Sequence, residues 1–168
     1  MYTIISGTNR PASNTLKVAK EYQRFLQQKG IEAGVFSLEG IHLLNRDEAF
    51  EKFEQEVIIP TSKFLFIIPE YNGSFPGVLK LLFDTSASER IWWHKKALLT
   101  GVSTGRAGNV RGMEHLSGVL NYLKITVYPS LLPVSAVHTL MDESGRFTDQ
   151  YTITVINNQI DQFLKWAG

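Results

Sequence analysis

The sequence predicts an α/β protein built around one doubly wound parallel sheet, and three observations carry that prediction. Apolar runs without alternation, best seen at Phe64-Leu-Phe-Ile-Ile68, mark strands buried on both faces, as central parallel strands are. Between them lie segments with apolar residues at helical spacing, so strands and helices take turns along the chain. Polar, glycine-bearing loops follow the first, third and fourth strands, and a parallel sheet gathers such loops on its carboxyl edge.

Tyr2-Thr-Ile-Ile5 is the first strand, and Ser6 to Pro11 the turn-forming loop after it. A helix starts near Ser13 or Asn14, both good N-caps, keeps Leu16, Ala19, Tyr22 and Leu26 on one face, and meets a C-cap glycine at Gly30. Gly34 to Ser37 is the second strand, and the charged stretch from Asn45 to Glu56 is helical with frayed ends. The third strand is Phe64–Ile68, followed by a loop and a helix from Gly77 to Ser86. Ala97 to Val102 is the fourth strand, and Met113, Leu116, Leu120 and Leu123 share one face of the next helix. A fifth strand is expected between Thr126 and Val137, at an edge and with a break, because Pro129 and Pro133 interrupt it. The tail carries Ile153, Ile156, Ile160, Phe163 and Leu164 at helical spacing, although Tyr151 to Val155 also alternates like a strand; helix is the expectation.

The 168 residues fit one domain, residues 1–168, with no repeat or linker. Seventeen basic against sixteen acidic residues leave a formal charge of +1, so the total points to neither nucleic acid nor membrane. The absence of cysteine excludes disulfides, thiolate nucleophiles and cysteine-ligated metals, and fits a cytoplasmic setting. No apolar run approaches the roughly 20 residues that span a bilayer. His42, His94, His115 and His138 are scattered without ligand spacing, so no metal site is expected. Trp92 and Trp93 read as core or subunit-contact residues.

With strand order 2-1-3-4-5, the flavodoxin-like arrangement, loops one and three meet at the point where the order reverses, with loop four beside them. The expected fold is therefore a flavodoxin-like, three-layer doubly wound domain with a five-stranded parallel sheet. Loop one and the helix start it feeds offer Thr8, Arg10, Ser13, Asn14 and Thr15; hydroxyls, free amides and a positive helix end suit a phosphate dianion. Loop three, Pro69-Glu-Tyr-Asn-Gly-Ser-Phe-Pro-Gly77, is stiffened by two prolines, bent at Asn72-Gly73, and places Tyr71 beside exposed backbone, which suits a planar hydrogen-bonding ring. Neither the dinucleotide fingerprint G-x-G-x-x-G nor a Walker A loop is present.

At these residues the chain resembles the NAD(P)H-dependent FMN reductase family. Gly7-Thr-Asn-Arg10 with Ser13-Asn14 is similar to that family's phosphate loop, and Pro69-Glu-Tyr-Asn-Gly-Ser74 with Pro76-Gly-Val-Leu-Lys80 to its flavin loop; Ser103-Thr-Gly-Arg-Ala-Gly108 stands in the place of its third loop. The resemblance runs from Met1 to about Leu123, with Leu81 where members often carry Asn. It implies FMN bound without a covalent bond. Thr8, Arg10, Ser13, Asn14 and Thr15 would hold the phosphate; Pro69, Glu70, Tyr71, Asn72, Gly73 and Ser74 would wrap the isoalloxazine; and Ser103, Thr104, Gly105 and Arg106 would approach its pyrimidine side. Arg106 or Arg111 would face the negative charge of the reduced ring or the donor's phosphates. It further implies NADPH or NADH as a transient hydride donor, no catalytic acid or base, a small-molecule electron acceptor (flavin, quinone, azo compound or oxidised metal ion) served by ping-pong exchange, and a homodimer or homotetramer.

Two other functions compete. Gly101-Val-Ser-Thr-Gly105 matches the G-x-S-x-G elbow of hydrolases, but no Asp lies between Ser103 and His138 to complete a triad. A non-enzymatic electron carrier or a flavin-binding regulatory protein could share the fold; carriers are typically strongly acidic, and a charge of +1 lacks that field.

Overall fold

The computed structural model describes all residues, 1–168. Its strands are β1 (Tyr2–Ser6), β2 (Ala33–Ser37), β3 (Lys63–Pro69), β4 (Lys96–Val102), β5 (Thr126–Val127) and β6 (Leu132–Val134). Its helices are α1 (Asn14–Gln28), α2 (Glu48–Phe53), α3 (Gly77–Thr85), α4 (Val110–Tyr122) and α5 (Gln150–Ala167). All strand pairs are parallel in the order β2-β1-β3-β4-β5, and β6 lies on the same side of β4 as β5. The expected flavodoxin-like order is the order found.

β3 shows why an unbroken apolar run was needed. Successive side chains point to opposite faces, so Phe64, Phe66 and Ile68 pack with Phe50, Leu82, Trp92 and Leu116 on the side of α2, α3 and α4. Leu65 and Ile67 pack with Val18, Phe25, Ile156 and Phe163 on the side of α1 and α5. Trp92 is fully buried in the first layer, while Trp93 is half-buried between the cations of Arg90 and Lys124.

The fifth strand is broken as its prolines demanded, and it stops at Val134, short of Val137, which opens a 3-10 turn. Pro133 is tolerated in β6 because its nitrogen faces the open edge. Gln159 of α5 fills the gap: its Nε2 donates to Leu99 O at 3.2 Å and Ser130 O at 3.0 Å, and its Oε1 accepts from the Tyr22 hydroxyl at 2.8 Å. A side chain thus supplies the donor that the interrupted strand lacks. After α2 the chain continues as a π-helical turn, Glu54–Ile58, whose outgoing carbonyls at Ile58 and Ile59 are capped by the buried Lys95 ammonium.

The tail is helical throughout, with Asp149 accepting from Thr152 N at its start. The turn before it, Asp142 to Phe147, is tied to α1 by Glu21, a carboxylate that is 2% exposed. Burial alone would raise its pKa. Hydrogen bonds from Arg24, Phe147 N and Arg146 outweigh that and hold it below the ordinary value.

Candidate functional site

Loops one, three and four converge at the carboxyl edge, as parallel topology requires. Loop one turns into α1 at Ser13, whose Oγ accepts from Leu16 N at 3.1 Å. The amides of Asn14 and Thr15 have no acceptor in the chain, and no acidic residue stands in the first turn to neutralise the positive helix end. Thr8 is buried; its hydroxyl meets the Tyr71 hydroxyl at 2.6 Å and accepts from Arg10 N at 3.2 Å. The Arg10 guanidinium lies 4.0 Å from the Tyr71 ring centroid. Loops one and three are therefore joined through Tyr71.

Loop three is a hairpin in miniature. Tyr71 and Ser74 exchange backbone bonds of 2.9 and 3.1 Å, and Asn72 and Gly73 between them have φ of 53° and 75°. That is the type I′ geometry for which Asn-Gly is suited. Two residues of α4 brace it: Arg111, whose Nη1 would be 2.9 Å from a Cβ at Gly73, and His115, whose Nδ1 meets Ser74 Oγ at 2.9 Å.

Loop four is folded tightly onto the sheet. Ser103 Oγ donates to Gly105 O at 2.9 Å and accepts from Gly108 N at 3.0 Å, so this hydroxyl is engaged by backbone and has no histidine partner. Gly101 has no room for a side chain, because a Cβ would sit 2.1 Å from Gly108 O. Asn109, buried and with φ of 62°, donates from Nδ2 to Ile68 O at 3.1 Å and Pro69 O at 2.8 Å, and its backbone N–H reaches Glu70 Oε2 at 3.2 Å. The reverse amide orientation would set oxygen against two carbonyls. Asn109 clamps loop four to loop three.

Two adjoining clefts result, of about 210 and 330 Å³, sharing Glu70, Ser103 and Thr104. The first is walled by Arg10, Ser13, Asn14 and Thr15 at one end, and by Pro69 and Tyr71 at the other. The second is walled by Asn72, Gly73, Gly105 and Arg106. Thirteen of the fifteen candidate residues thus line one groove. Thr8 sits behind Tyr71, and Ser74 turns its hydroxyl to His115.

Comparison with known proteins gives the chain's family and fold relatives. Residues 2–139 match the family model described as NADPH-dependent FMN reductase. The chain belongs to this family. Among its relatives, an NAD(P)H-dependent FMN reductase of Pseudomonas aeruginosa is 30% identical over 97% of this chain and 92% of its own length. A 2-hydroxy-1,4-benzoquinone reductase of a Burkholderia species is 28% identical over 71% of this chain and 67% of its own. In fold, it is similar to the solved structure of FerB, a flavoenzyme NAD(P)H:(acceptor) oxidoreductase of Paracoccus denitrificans, with a TM-score of 0.79 at 20% identity, covering 99% of this chain and 95% of that one.

For this member of the FMN reductase family, the donor set fits a flavin mononucleotide. Two free amides, an arginine and a helix start suit the phosphate, and a rigid hairpin with an aromatic wall suits the ring. The candidate residues lacked Pro11, Val102 and Ala107 of the cleft walls, and also Asn109, His115 and Val137. Asn109 could have been noticed as an Asn after Gly108 at a helix start, a pairing that permits the left-handed region. His115 follows Arg111 by four residues and so shares its helix face. Val137 lines the first cleft from beyond β6, and nothing in its sequence neighbourhood signals this.

Proposed function

We propose that the chain is an FMN-dependent NAD(P)H oxidoreductase that passes electrons to a small-molecule acceptor such as a quinone, an azo compound, a free flavin or an oxidised metal ion. The observation that carries this reading is one groove with a phosphate-type end and a ring-type end, built by three loops of a family member. Arg10, Ser13, Asn14 and Thr15 would hold the phosphate, with the Arg10 contact charge-assisted. Pro69 to Gly73 and Ser103 to Arg106 would hold the ring through backbone groups, and Ser74 and Thr8 would act from behind by fixing the hairpin and Tyr71. FMN, when bound, would supply the two-electron redox chemistry that links a reduced nicotinamide to the acceptor. No side chain need transfer a proton in the hydride step; the residues orient, exclude water and set the local charge.

We infer further that residues 1–168 form one FMN-binding domain in a homodimer or homotetramer, a reading that the exposed Val110, at the start of α4 beside the ring loop, supports. A cytoplasmic setting, where reduced nicotinamides are available, accompanies it. No helix is long and apolar enough to cross a membrane. The test is steady-state turnover of the FMN-loaded protein with NADPH or NADH and a quinone. Parallel double-reciprocal lines are expected; FMN binding without turnover would favour a carrier or a regulatory protein.

A further inference from the structure

We propose that a second cleft, running down α1 from the mononucleotide groove, is a subsite for a nucleoside 5′-phosphate, supplied by the adenylate half of FAD or by a free adenosine nucleotide. The proposal rests on the reading that the first groove binds a flavin phosphate. This cleft, of about 550 Å³, lies between α1 and the turn around Gly145, and Ser13 belongs to the walls of both clefts. A group joined to a phosphate at Ser13 would leave the first groove directly into it.

Its charge is unbalanced. Ser13, Lys17, Lys20 and Arg24 follow one another by four, three and four residues and so stand along one helix face. At 1.5 Å per residue, Lys17 and Lys20 are about 6 and 10 Å down the axis from Ser13, within reach of a second phosphate and the nucleoside attached to it. Glu21 is the one acid among the lining residues. It is 2% exposed, and its oxygens are fully engaged by Arg24, Arg146 and Phe147 N. Asp142, on the same turn, accepts from Ser144 Oγ and Arg146 N. Lys17 and Lys20 make no ion pair at all.

The cleft is also preorganised. Gly145, with φ of +82°, rests on the Lys17 stem so closely that a Cβ there would lie 3.0 Å from its Cγ and Cδ. A solvated lysine on a helix is free to sample rotamers, whereas the Gly145 turn limits those of this stem, which lowers the ordering cost of binding an anion.

The test compares wild type with Lys17→Gln/Lys20→Gln; glutamine keeps the Cβ, Cγ and Cδ that Gly145 rests on. Flavin fluorescence gives dissociation constants for FMN and FAD on the apoprotein, and calorimetry gives that of AMP on the FMN-loaded protein. The FAD constant should rise about tenfold or more, equivalent to 1.4 kcal/mol, while that for FMN moves less than about twofold because its phosphate is held at the helix start. A loss confined to AMP would identify a free nucleotide as the occupant. Equal FAD and AMP affinities in the two proteins would overturn the subsite. Should wild type fail to bind FMN, the mononucleotide reading falls, and AMP affinity of the apoprotein in the two forms then decides the groove alone.

Discussion

Replacing Asn109 probes how the ring loop is held. Its amide makes bonds of 3.1 and 2.8 Å to Ile68 O and Pro69 O in a place that is 1% exposed, where water cannot substitute. Two hydrogen bonds at about 0.5–1.5 kcal/mol each put the loss for Asn109→Gly near 1–3 kcal/mol. Glycine accepts the 62° φ without strain; the freedom it adds to the unfolded chain costs about 0.4–1 kcal/mol more, and removal of the unpartnered, buried Asn109 Oδ1 offsets part of the loss. Asn109→Ala loses the same bonds and, unlike the glycine variant, keeps a Cβ in the left-handed region, which costs about 1–2 kcal/mol relative to glycine. Urea denaturation of the FMN-free protein should rank wild type above Asn109→Gly and Asn109→Ala last, and FMN affinity should follow the same order because the carbonyls released belong to the flavin loop. Gly112→Ala should act alike from the other side, since its Cβ would fall 2.0 Å from Asn109 Oδ1 and expel the clamp. Wild-type stability and FMN affinity in Asn109→Gly would refute the clamp.

Three other outcomes follow from the same contacts. Arg10→Ala should weaken FMN binding by about 1.5–3 kcal/mol, the range for a hydrogen bond to a charged group; fluorescence titration reads it, and an unchanged constant would contradict the phosphate assignment. Gln159→Leu should destabilise by about 2–4 kcal/mol, because it leaves Leu99 O, Ser130 O and the Tyr22 hydroxyl short of a partner in the core; the denaturation midpoint reports it. Glu21 has a depressed carboxyl pKa in the fold, so its contribution is complete above the ordinary carboxylate value of 4.5 and is lost as pH falls through the lower folded value. Glu21→Gln should therefore be less stable at neutral pH and lose less on acidification, which stability measured against pH would reveal.

The sheet was legible because its signal is local. Phe64–Ile68 and Ala97–Val102 each declare two buried faces without reference to any partner, and Pro129 and Pro133 announce a broken edge by removing donors. What repairs that edge was not legible: Gln159 lies far along the chain on a helix whose apolar spacing says nothing of a polar side chain turned inward. The π-helical turn at Glu54–Ile58 was hidden for a similar reason, since its cap comes from Lys95 near β4. At the groove, Arg10 and the Pro69–Gly77 run could be read from residue type and loop position. The role of Thr8 as a support for Tyr71, the Ser74–His115 contact and the Asn109 clamp depend on distances between loops, which no single segment encodes.

The most direct measurement is an anaerobic titration of the FMN-loaded protein with NADPH and then NADH, followed through the flavin's visible absorbance. Stoichiometric bleaching by at least one nucleotide, reversed by a quinone, is the predicted result. FMN that stays oxidised with both nucleotides, in a protein that demonstrably binds it, would contradict the oxidoreductase account.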